Sequence, residues 1–399
     1  MTASDPVCPR AHDPVSRNSL AAGSIASMLT MAACVGIPSV MLVEIANTFH
    51  LDNTRRGLIA SVRSATILLT VLLSGPLADR LGKRLPLALG AAAVAAGLLL
   101  TGFASSYETL LLASAVAGLG CGVAEALVSP LVVELYPRSS SSKLNLFHSV
   151  FNLGIVLACA SYLLVRAGIH WTWAFRIAGL LSIAPVILFA VAHFPPAAPW
   201  HEARNALGAS LRRPLFWILM LAMFLTAGVE IGATTWIANF LEVELGAPGA
   251  AGAWGLTLFA VAMMVGRLSV SRLLLRVPPV PLLLASSLLG ALVIALAAIS
   301  RNVLPGIVLF VLAGVSIAAF WPTILAYASD RLSCRSSTLF ALLAAGGISG
   351  AILSPALVGL VGDRLSLRAG IASLSGLLLL AALLFAGLLL SERASLRRD

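Results

Sequence analysis

Two carboxylates lie inside apolar stretches that are long enough to cross a lipid bilayer. Glu125 precedes Tyr136 by 11 residues, and Glu230 follows Pro214 by 16 residues. At 1.5 Å of rise per helical residue, both side chains fall near the middle of the membrane. A carboxylate there costs roughly 2.5–3.5 kcal/mol on insertion scales, so it needs a partner, a proton or a water-filled cavity. Because desolvation favours the neutral form, we predict proton exchange at Glu125 and Glu230. The alternative is a permanently protonated glutamate that braces helix packing.

Three polar residues, Asn145, His148 and Asn152, share one face of a single apolar helix. Their spacings of three, four and seven residues bring them into line. Amide and imidazole groups exchange hydrogen bonds with hydroxyls or a carboxylate, and this face is predicted to bind substrate. The alternative is bonding between helices near a membrane surface, because Asn145 lies two residues after Lys143.

Aromatic and amide side chains in two other stretches are further candidates for substrate contact. Trp236 follows Glu230 by six residues and precedes Asn239 by three, and Trp321 lies beside Pro322. An aromatic ring with a few polar groups suits a sugar, whose C–H face stacks while its hydroxyls form hydrogen bonds. Tryptophan also anchors helices at membrane interfaces or simply packs, and that alternative stays open.

Arg63 is an isolated charge six residues after Gly57. It lies about 9 Å inside its stretch, at 1.5 Å per residue. Its side chain can extend outward to the membrane surface. The alternative, an ion pair with a carboxylate or an anionic substrate, makes Arg63 a candidate substrate-binding residue.

The composition requires these residues to be positioned by membrane helices. The 399 residues are 59% hydrophobic and 11% charged, with a mean hydropathy of +1.00. Too few polar groups remain to cover a water-soluble globule of this length. The uncharged stretches predict an all-α integral membrane protein with twelve spans, numbered 1 to 12 along the chain: 20–46, 57–78, 85–103, 108–136, 144–165, 173–193, 214–241, 250–273, 280–299, 303–328, 337–360 and 369–390.

The basic residues predict topology rather than a nucleic-acid surface. The net charge is +10, but the arginines are spread over short loops instead of forming one face. Eighteen of the 26 basic residues, Arg267 among them, fall on one side of the predicted membrane arrangement. This bias predicts a multi-pass protein of the cytoplasmic (cell inner) membrane with both termini in the cytoplasm. The first 18 residues lack the apolar core of a signal peptide, and the five cysteines show neither metal-ligand spacing nor a disulfide pattern.

A shift of 192 residues superposes one half of the chain on the other. Matches beyond the common Leu and Ala recur from span 1 to span 6: Gly36 with Gly228, Asn47 with Asn239, Arg80 with Arg272, Arg84 with Arg276, Pro86 with Pro278, Gly122 with Gly314, Pro130 with Pro322, Gly154 with Gly346, and Arg176 with Arg368. One register over six spans predicts two pseudo-symmetric six-helix bundles. The predicted division is a tail at 1–18, bundles at 19–194 and 214–391, a cytoplasmic linker at 195–213 and a tail at 392–399.

The densest charge cluster of the first half, Gly75 to Arg84, lies between spans 2 and 3. Its sequence, GPLADRLGKR, resembles the Gly-x-Leu-x-Asp-Arg-x-Gly-Arg-Arg signature of the major facilitator superfamily. That resemblance extends over essentially the whole chain and implies the superfamily's twelve-helix fold. We predict a gate at this loop, formed by Gly75, Asp79, Arg80, Gly82, Lys83 and Arg84, in which the basic residues anchor the inner face. The second copy places Ser271 opposite Asp79, so we predict that Asp79 is one half of an asymmetric latch between the bundles. It would meet the N-terminus of a neighbouring helix, or an arginine of the other bundle, when the outside is open.

Three segments are more specifically similar to the fucose and glucose proton symporter branch: residues 118–137 with Glu125, residues 145–154 with His148, and residues 228–236 with Glu230. The resemblance implies a secondary active transporter that takes up a sugar or another small polar solute with protons. The chain departs from the branch at Gly36 to Ser39, where an acidic residue is common. It departs again at Ser129, where an Asn is common.

Other functions remain open at this point. Cavity aromatics and acidic residues equally suit proton-coupled efflux of an amphipathic drug or metabolite. A transporter-like membrane sensor without transport is a second alternative. No hydrolase triad or nucleotide-binding motif is present in the sequence, so we expect a protein that is not an enzyme. We also expect no cofactor and no metal. The expected partners are a small-molecule substrate, protons and the lipid bilayer, in which the protein is expected to act as a monomer.

Overall fold

A computed structural model describes residues 14–51, 53–195, 200–247, 251–332 and 336–396. Within those ranges the chain is helical and has no strand. The helices run Pro14–Val40, Leu42–Phe49, Asn53–Leu81, Arg84–Gly102, Tyr107–Leu135, Ser140–Ala160, Tyr162–Arg166, Thr172–Leu181, Ile183–Val191, Trp200–Leu211, Pro214–Asn239, Ala251–Leu273, Pro279–Ile299, Val303–Ile317, Phe320–Leu332, Ser337–Arg364 and Leu367–Leu396, with a π-helical turn at Phe240–Glu244.

Twelve spans in the described part of the chain are long and apolar enough to cross a membrane, which confirms the predicted fold class. They are, in order, Arg17–Val40, Leu58–Leu81, Arg84–Gly102, Tyr107–Leu135, Ser140–Val165, Thr172–Val191, Pro214–Glu244, Trp254–Leu273, Pro279–Ile299, Val303–Leu332, Ser337–Arg364 and Leu367–Ala394. Most of the expected boundaries lie within four residues of these. Span 1 differs most, because a bend at Met41 separates it from the short helix Leu42–Phe49.

Prolines divide or weaken several spans. A proline has no N–H, so it leaves the carbonyl four residues earlier without its helical partner. Span 10 is broken between Ile317 and Phe320, where Pro322 frees the carbonyl of Ala318. Pro38 lies inside span 1 and frees the carbonyl of Cys34 in the same way.

Glycines bring neighbouring spans into close contact, as the spacing of Gly118 and Gly122 in span 4 predicts for membrane helices. A Cβ added at Gly122 would lie 2.6 Å from the carbonyl oxygen of Ile67 in span 2. At the repeat position in the second bundle, a Cβ at Gly314 would lie 2.8 Å from the carbonyl oxygen of Phe259 in span 8. Equivalent helix pairs are therefore packed by equivalent glycines.

The repeated arginines also make equivalent contacts. Arg176 in span 6 donates to the carbonyl of Gly102 at the end of span 3, at 2.8 Å. Arg368 in span 12 donates to the carbonyl of Ala298 at the end of span 9, at 3.1 Å. Both cap a helix C-terminus with positive charge, the favourable sign for the helix dipole. The pseudo-symmetry read from the sequence is thus present in the contacts.

Two parts of the chain are more helical than expected: the linker that connects the bundles, and the end of the last span. Helix Trp200–Leu211 occupies most of the predicted linker, and the last helix continues to Leu396, past the predicted start of the tail at 392. The final turns are held by Glu392, which pairs with Arg331 and accepts from the Tyr327 hydroxyl at 2.9 Å. Residues 1–13 of the predicted N-terminal tail lie outside the described residues.

Candidate functional site

A cavity of about 180 Å³ lies between the two bundles. Its wall is formed by Met31, Ile67, Glu125, His148, Phe151, Ala227, Glu230, Ile231, Arg267, Trp321, Ile348 and Ala351, from spans 1, 2, 4, 5, 7, 8, 10 and 11. The structure therefore brings together four of the residues singled out from the sequence: Glu125, Glu230, His148 and Trp321. Most of the remaining wall is apolar.

The centre of this site is an arginine that sequence reasoning assigned elsewhere. Arg267 was counted among the inner-face charges, and that placement is wrong because its side chain is only 4% exposed. One guanidinium nitrogen donates to both oxygens of Glu230, at 3.0 and 3.1 Å. Another donates across the bundle interface to the side-chain oxygen of Asn152 at 3.2 Å and to the carbonyl of His148 at 3.3 Å.

The remaining Arg267 nitrogen satisfies the break in span 10. Its Nε donates to the carbonyl of Ala318 at 3.3 Å, the carbonyl that Pro322 leaves without a helical partner. A polar backbone group at membrane depth needs such a partner, because no water is available in hydrocarbon. Arg267 thus pairs with one carboxylate, links the two bundles, and satisfies the carbonyl exposed at the break in span 10. A usable signal was present in the sequence, since Arg267 follows sixteen uncharged residues of span 8 and lies several residues before its end.

The polar face of span 5 points toward the second bundle, but its three members differ in their contacts. His148 lines the cavity, and its Nε2 shares a hydrogen bond of 3.2 Å with the Ser129 hydroxyl. Asn145 is fully buried and donates to the Thr323 hydroxyl at 2.9 Å, in the interhelical arrangement that was its alternative role. Asn152 contacts Arg267 and keeps a buried amide nitrogen without a partner among the described residues.

The two tryptophans and Asn239, which the sequence grouped as candidates for substrate contact, also lie in different environments. Trp321 lies in the cavity wall, and its buried indole N–H lies near the Glu125 carboxyl without a complete hydrogen bond in the described part of the chain. Trp236 lies outside the cavity wall and donates to the carbonyl of Pro355 at 3.0 Å. Asn239 ends its helix at an exposed position just before the π-helical turn. Substrate contact remains a prediction for each of them.

Arg63 lies apart from the cavity, in the first bundle. It is 8% exposed, and its Nη1 donates to the Cys34 carbonyl at 3.0 Å. That carbonyl is the one freed by Pro38, so Arg63 does for span 1 what Arg267 does for span 10. Neither of the two contacts foreseen for Arg63, outward extension or a carboxylate partner, is the contact observed.

The predicted latch residue, Asp79, contacts the other bundle. It accepts four hydrogen bonds at the N-terminus of span 11: from the Ser336 hydroxyl at 2.5 Å, the Ser337 N–H at 2.7 Å, and the Thr338 hydroxyl and N–H at 2.6 and 3.1 Å. A helix N-terminus favours negative charge. Its counterpart Ser271 makes one bond of 3.3 Å, to the Ser142 hydroxyl of span 5.

The other residues of the loop motif hold the turn between spans 2 and 3. Gly82 adopts a φ of +80°, a conformation that residues with a Cβ rarely adopt. Lys83 pairs with Glu134 at 2.7 Å, and Arg84 donates to the carbonyl of Ala190. Arg80 is exposed. A Cβ on Gly75 would lie 2.7 Å from the Cα of Thr338, so this glycine permits the approach on which the Asp79 contacts depend.

Comparison with known proteins supports this architecture. The fold matches that of the Escherichia coli fucose:proton symporter FucP in the outward conformation, with a TM-score of 0.80 and 18% identity over 92% of this chain and 97% of that one. Myo-inositol transporter 1A of Cryptococcus neoformans is 31% identical over 42% of this chain and 30% of its own length. Multidrug resistance protein D of E. coli is 28% identical over 42% of this chain and 44% of its own length. The chain thus spans less than half the length of these two curated relatives.

The family assignment rests on matches that together cover residues 23–399. The Major Facilitator Superfamily profile matches residues 23–300 and 235–399, which includes both bundles and the loop motif. The superfamily predicted from that motif is therefore confirmed, and the twelve spans make this a multi-pass membrane protein. The chain belongs to the Major Facilitator Superfamily.

Proposed function

We propose that the chain is a secondary active transporter that takes up a sugar or another small polar solute together with protons, by alternating access. In this proposal it acts as a monomer in the cytoplasmic membrane, with both termini in the cytoplasm. The observation that carries the proposal is the cavity between the bundles, where Glu125, the Glu230–Arg267 pair and Trp321 meet. Titratable groups and an aromatic side chain in one cavity suit a proton and a hydroxylated solute.

The charges in the cavity favour a neutral solute over an organic anion. Arg267 is the basic residue among the wall residues, and both oxygens of Glu230 already neutralise it. Glu125 contributes a second acidic group. An anionic substrate would therefore meet a carboxyl and no free cation, which disfavours its binding. A neutral hydroxylated solute meets instead the indole N–H of Trp321, which lies near the Glu125 carboxyl and makes no complete hydrogen bond among the described residues.

The contacts between the bundles support alternating access. In this proposal the loop motif lies on the cytoplasmic side, which its positive charge supports, and Asp79 joins span 2 to span 11 there. Gly75, Asp79, Arg80, Gly82, Lys83 and Arg84 form the inner gate in this proposal. With that gate closed, the cavity would load from outside. The relatives named for myo-inositol transport and for fucose:proton symport are consistent with this direction and substrate class.

Reconstituted vesicles test the proposal. We expect counterflow of a labelled sugar or polyol, and accumulation driven by an inward proton gradient. Glu125→Gln should keep counterflow, which needs no net proton movement, and lose accumulation. The same measurements on Glu230→Gln examine the second carboxylate. If both variants retained proton-driven accumulation, coupling through these residues would have to be abandoned.

Efflux of an amphipathic compound is a second candidate, because most of the cavity wall is apolar and because the chain resembles Multidrug resistance protein D. An apolar wall binds lipophilic cations as readily as it stacks a sugar ring. Proton-driven accumulation of a lipophilic dye inside everted vesicles, without sugar counterflow, would favour this function over uptake.

A further inference from the structure

The cavity contains two carboxyl groups and one guanidinium, and only one carboxyl is paired. Arg267 binds both oxygens of Glu230. The ion pairs among the described residues are Lys83–Glu134, Arg267–Glu230, Arg331–Glu392 and Arg368–Glu244, and Glu125 takes part in none of them. Glu125 lies in the same wall and within electrostatic range of both Arg267 and Glu230.

The charges in this space balance when the two carboxyls together hold one proton. A second ionised carboxylate would leave an uncompensated negative charge at membrane depth, which is costly. The one other titratable side chain of the wall is His148, and its backbone carbonyl accepts from Arg267. A positive charge on its ring would face the guanidinium, so His148 does not supply the missing cation. The other wall residues, from spans 1, 2, 5, 7, 10 and 11, carry no charge.

Arg267 also makes the contacts that must break when the bundles move. Spans 7 and 8, which carry Glu230 and Arg267, belong to the second bundle. The bonds from Arg267 to the Asn152 side chain and the His148 carbonyl reach span 5 of the first bundle. The carboxyl that pairs with Arg267 therefore affects whether those bonds between bundles persist.

We propose that Arg267 exchanges between the two carboxyls and that the single proton occupies whichever carboxyl Arg267 leaves. In the observed conformation Arg267 pairs with Glu230, and the proton is on Glu125. Release of that proton to cavity water leaves a carboxylate that competes for the guanidinium. Glu230, once unpaired, takes up one proton from water, so the exchange conserves charge and predicts one proton per cycle. This deepens the function proposed above and rests on it.

Counting protonated carboxyls tests the exchange without substrate. The measurement is the infrared absorption of the carboxylic acid carbonyl in purified protein near neutral pH, with the Glu125→Gln, Glu230→Gln double variant as the baseline. We expect one such group in the unsubstituted protein and none in Glu125→Gln. Arg267→Met should show two, because neither carboxyl then has a counter-ion. Arg272→Met is the matched control, five residues after Arg267 and outside the cavity wall, and should show one.

Glu230→Gln separates the exchange from a fixed structural proton. With its partner removed, Arg267 is free to pair with Glu125, so the acid absorption should disappear although Glu125 is intact. Persistence of the absorption in Glu230→Gln, or a single group in Arg267→Met, would overturn the exchange. Glu230→Gln is close to isosteric and decides the question if Arg267→Met fails to fold. Absence of sugar flux would refute the proposed function but leave the proton count unchanged.

Discussion

At the scale of single residues, two buried arginines perform the same task at two proline breaks. Arg63 donates to the carbonyl of Cys34, four residues before Pro38. Arg267 donates to the carbonyl of Ala318, four residues before Pro322. In hydrocarbon an orphaned carbonyl has no water to bind. A charged side chain in the core of a span is thus partly explained by the backbone group that a proline exposes.

This explanation predicts that Arg63 stabilises the fold and does not bind substrate. Arg63→Met should lower stability by about 1–3 kcal/mol, the cost of leaving a buried acceptor unsatisfied. In a Pro38→Ala background the helix can satisfy the Cys34 carbonyl itself, so the same substitution should cost less. Thermal unfolding of the four proteins of this double-mutant cycle gives the coupling. Additive effects, or a changed substrate affinity with unchanged stability, would contradict the assignment.

A second prediction concerns the two tryptophans that the sequence could not distinguish. Trp321→Phe removes an indole N–H of the cavity wall that makes no complete hydrogen bond in the described part of the chain, so substrate affinity should fall about fivefold, equivalent to about 1 kcal/mol. Trp236→Phe is the matched control, because its N–H is already bonded to the Pro355 carbonyl. It should lower stability and leave affinity unchanged. Equal effects on affinity would refute this distinction.

The sequence identified the acidic members of the site better than the basic one. Glu125 and Glu230 stand out because a lone carboxylate in an apolar span is costly wherever it points. Arg267 does not, because an arginine near a span end can reach the membrane surface along its own stem. Whether it turns outward or inward depends on partners from spans 5, 7 and 10, which no local pattern reveals.

At the scale of helices, hydropathy predicted all twelve spans because each must be apolar over its own length. It missed helix Trp200–Leu211 in the linker, which is too polar to resemble a span. It also missed the break in span 10, because Ala318 and Ala319 are as apolar as their neighbours. Hydropathy thus predicts where the chain crosses the membrane. Breaks within a span depend instead on single prolines and on the side chains that bind the carbonyls they expose.

Close approach between spans 2 and 11 gives a prediction at this scale. A Cβ at Gly75 would meet the Cα of Thr338 at 2.7 Å, and backbone atoms cannot move aside as a flexible side chain can. Gly75→Ala should therefore disfavour the observed packing. In a background without the five native cysteines, it should raise the reactivity of one cysteine introduced on the side of the cavity that faces the loop motif. Gly376→Ala is the control, because nothing lies within 4 Å of its added Cβ. Equal reactivity in both variants would show that this contact does not limit opening.

At the scale of the whole molecule, the duplicated bundles are joined asymmetrically. The Asp79 carboxylate accepts four bonds from span 11, whereas the hydroxyl of its counterpart Ser271 makes one bond with span 5. Spans 5 and 11 are themselves counterparts under the 192-residue shift. One joint between the bundles is therefore charged and anchored on a helix N-terminus, while its pseudo-symmetric partner is neutral and weak.

This asymmetry predicts that the charged joint dominates the conformational equilibrium. Asp79→Asn removes the charge that binds the helix N-terminus, a change worth about 1.5–3 kcal/mol for bonds to a charged group, or roughly 10- to 150-fold in the ratio of the two states. Ser271→Ala should change that ratio several-fold at most. Spin labels on the ends of spans 2 and 11 that Asp79 joins report the ratio as a distance distribution. Similar shifts in both variants would mean that the joints contribute equally and that Asp79 is not the latch; a large shift in Asp79→Asn alone would locate the inner gate on one side of the duplicated fold.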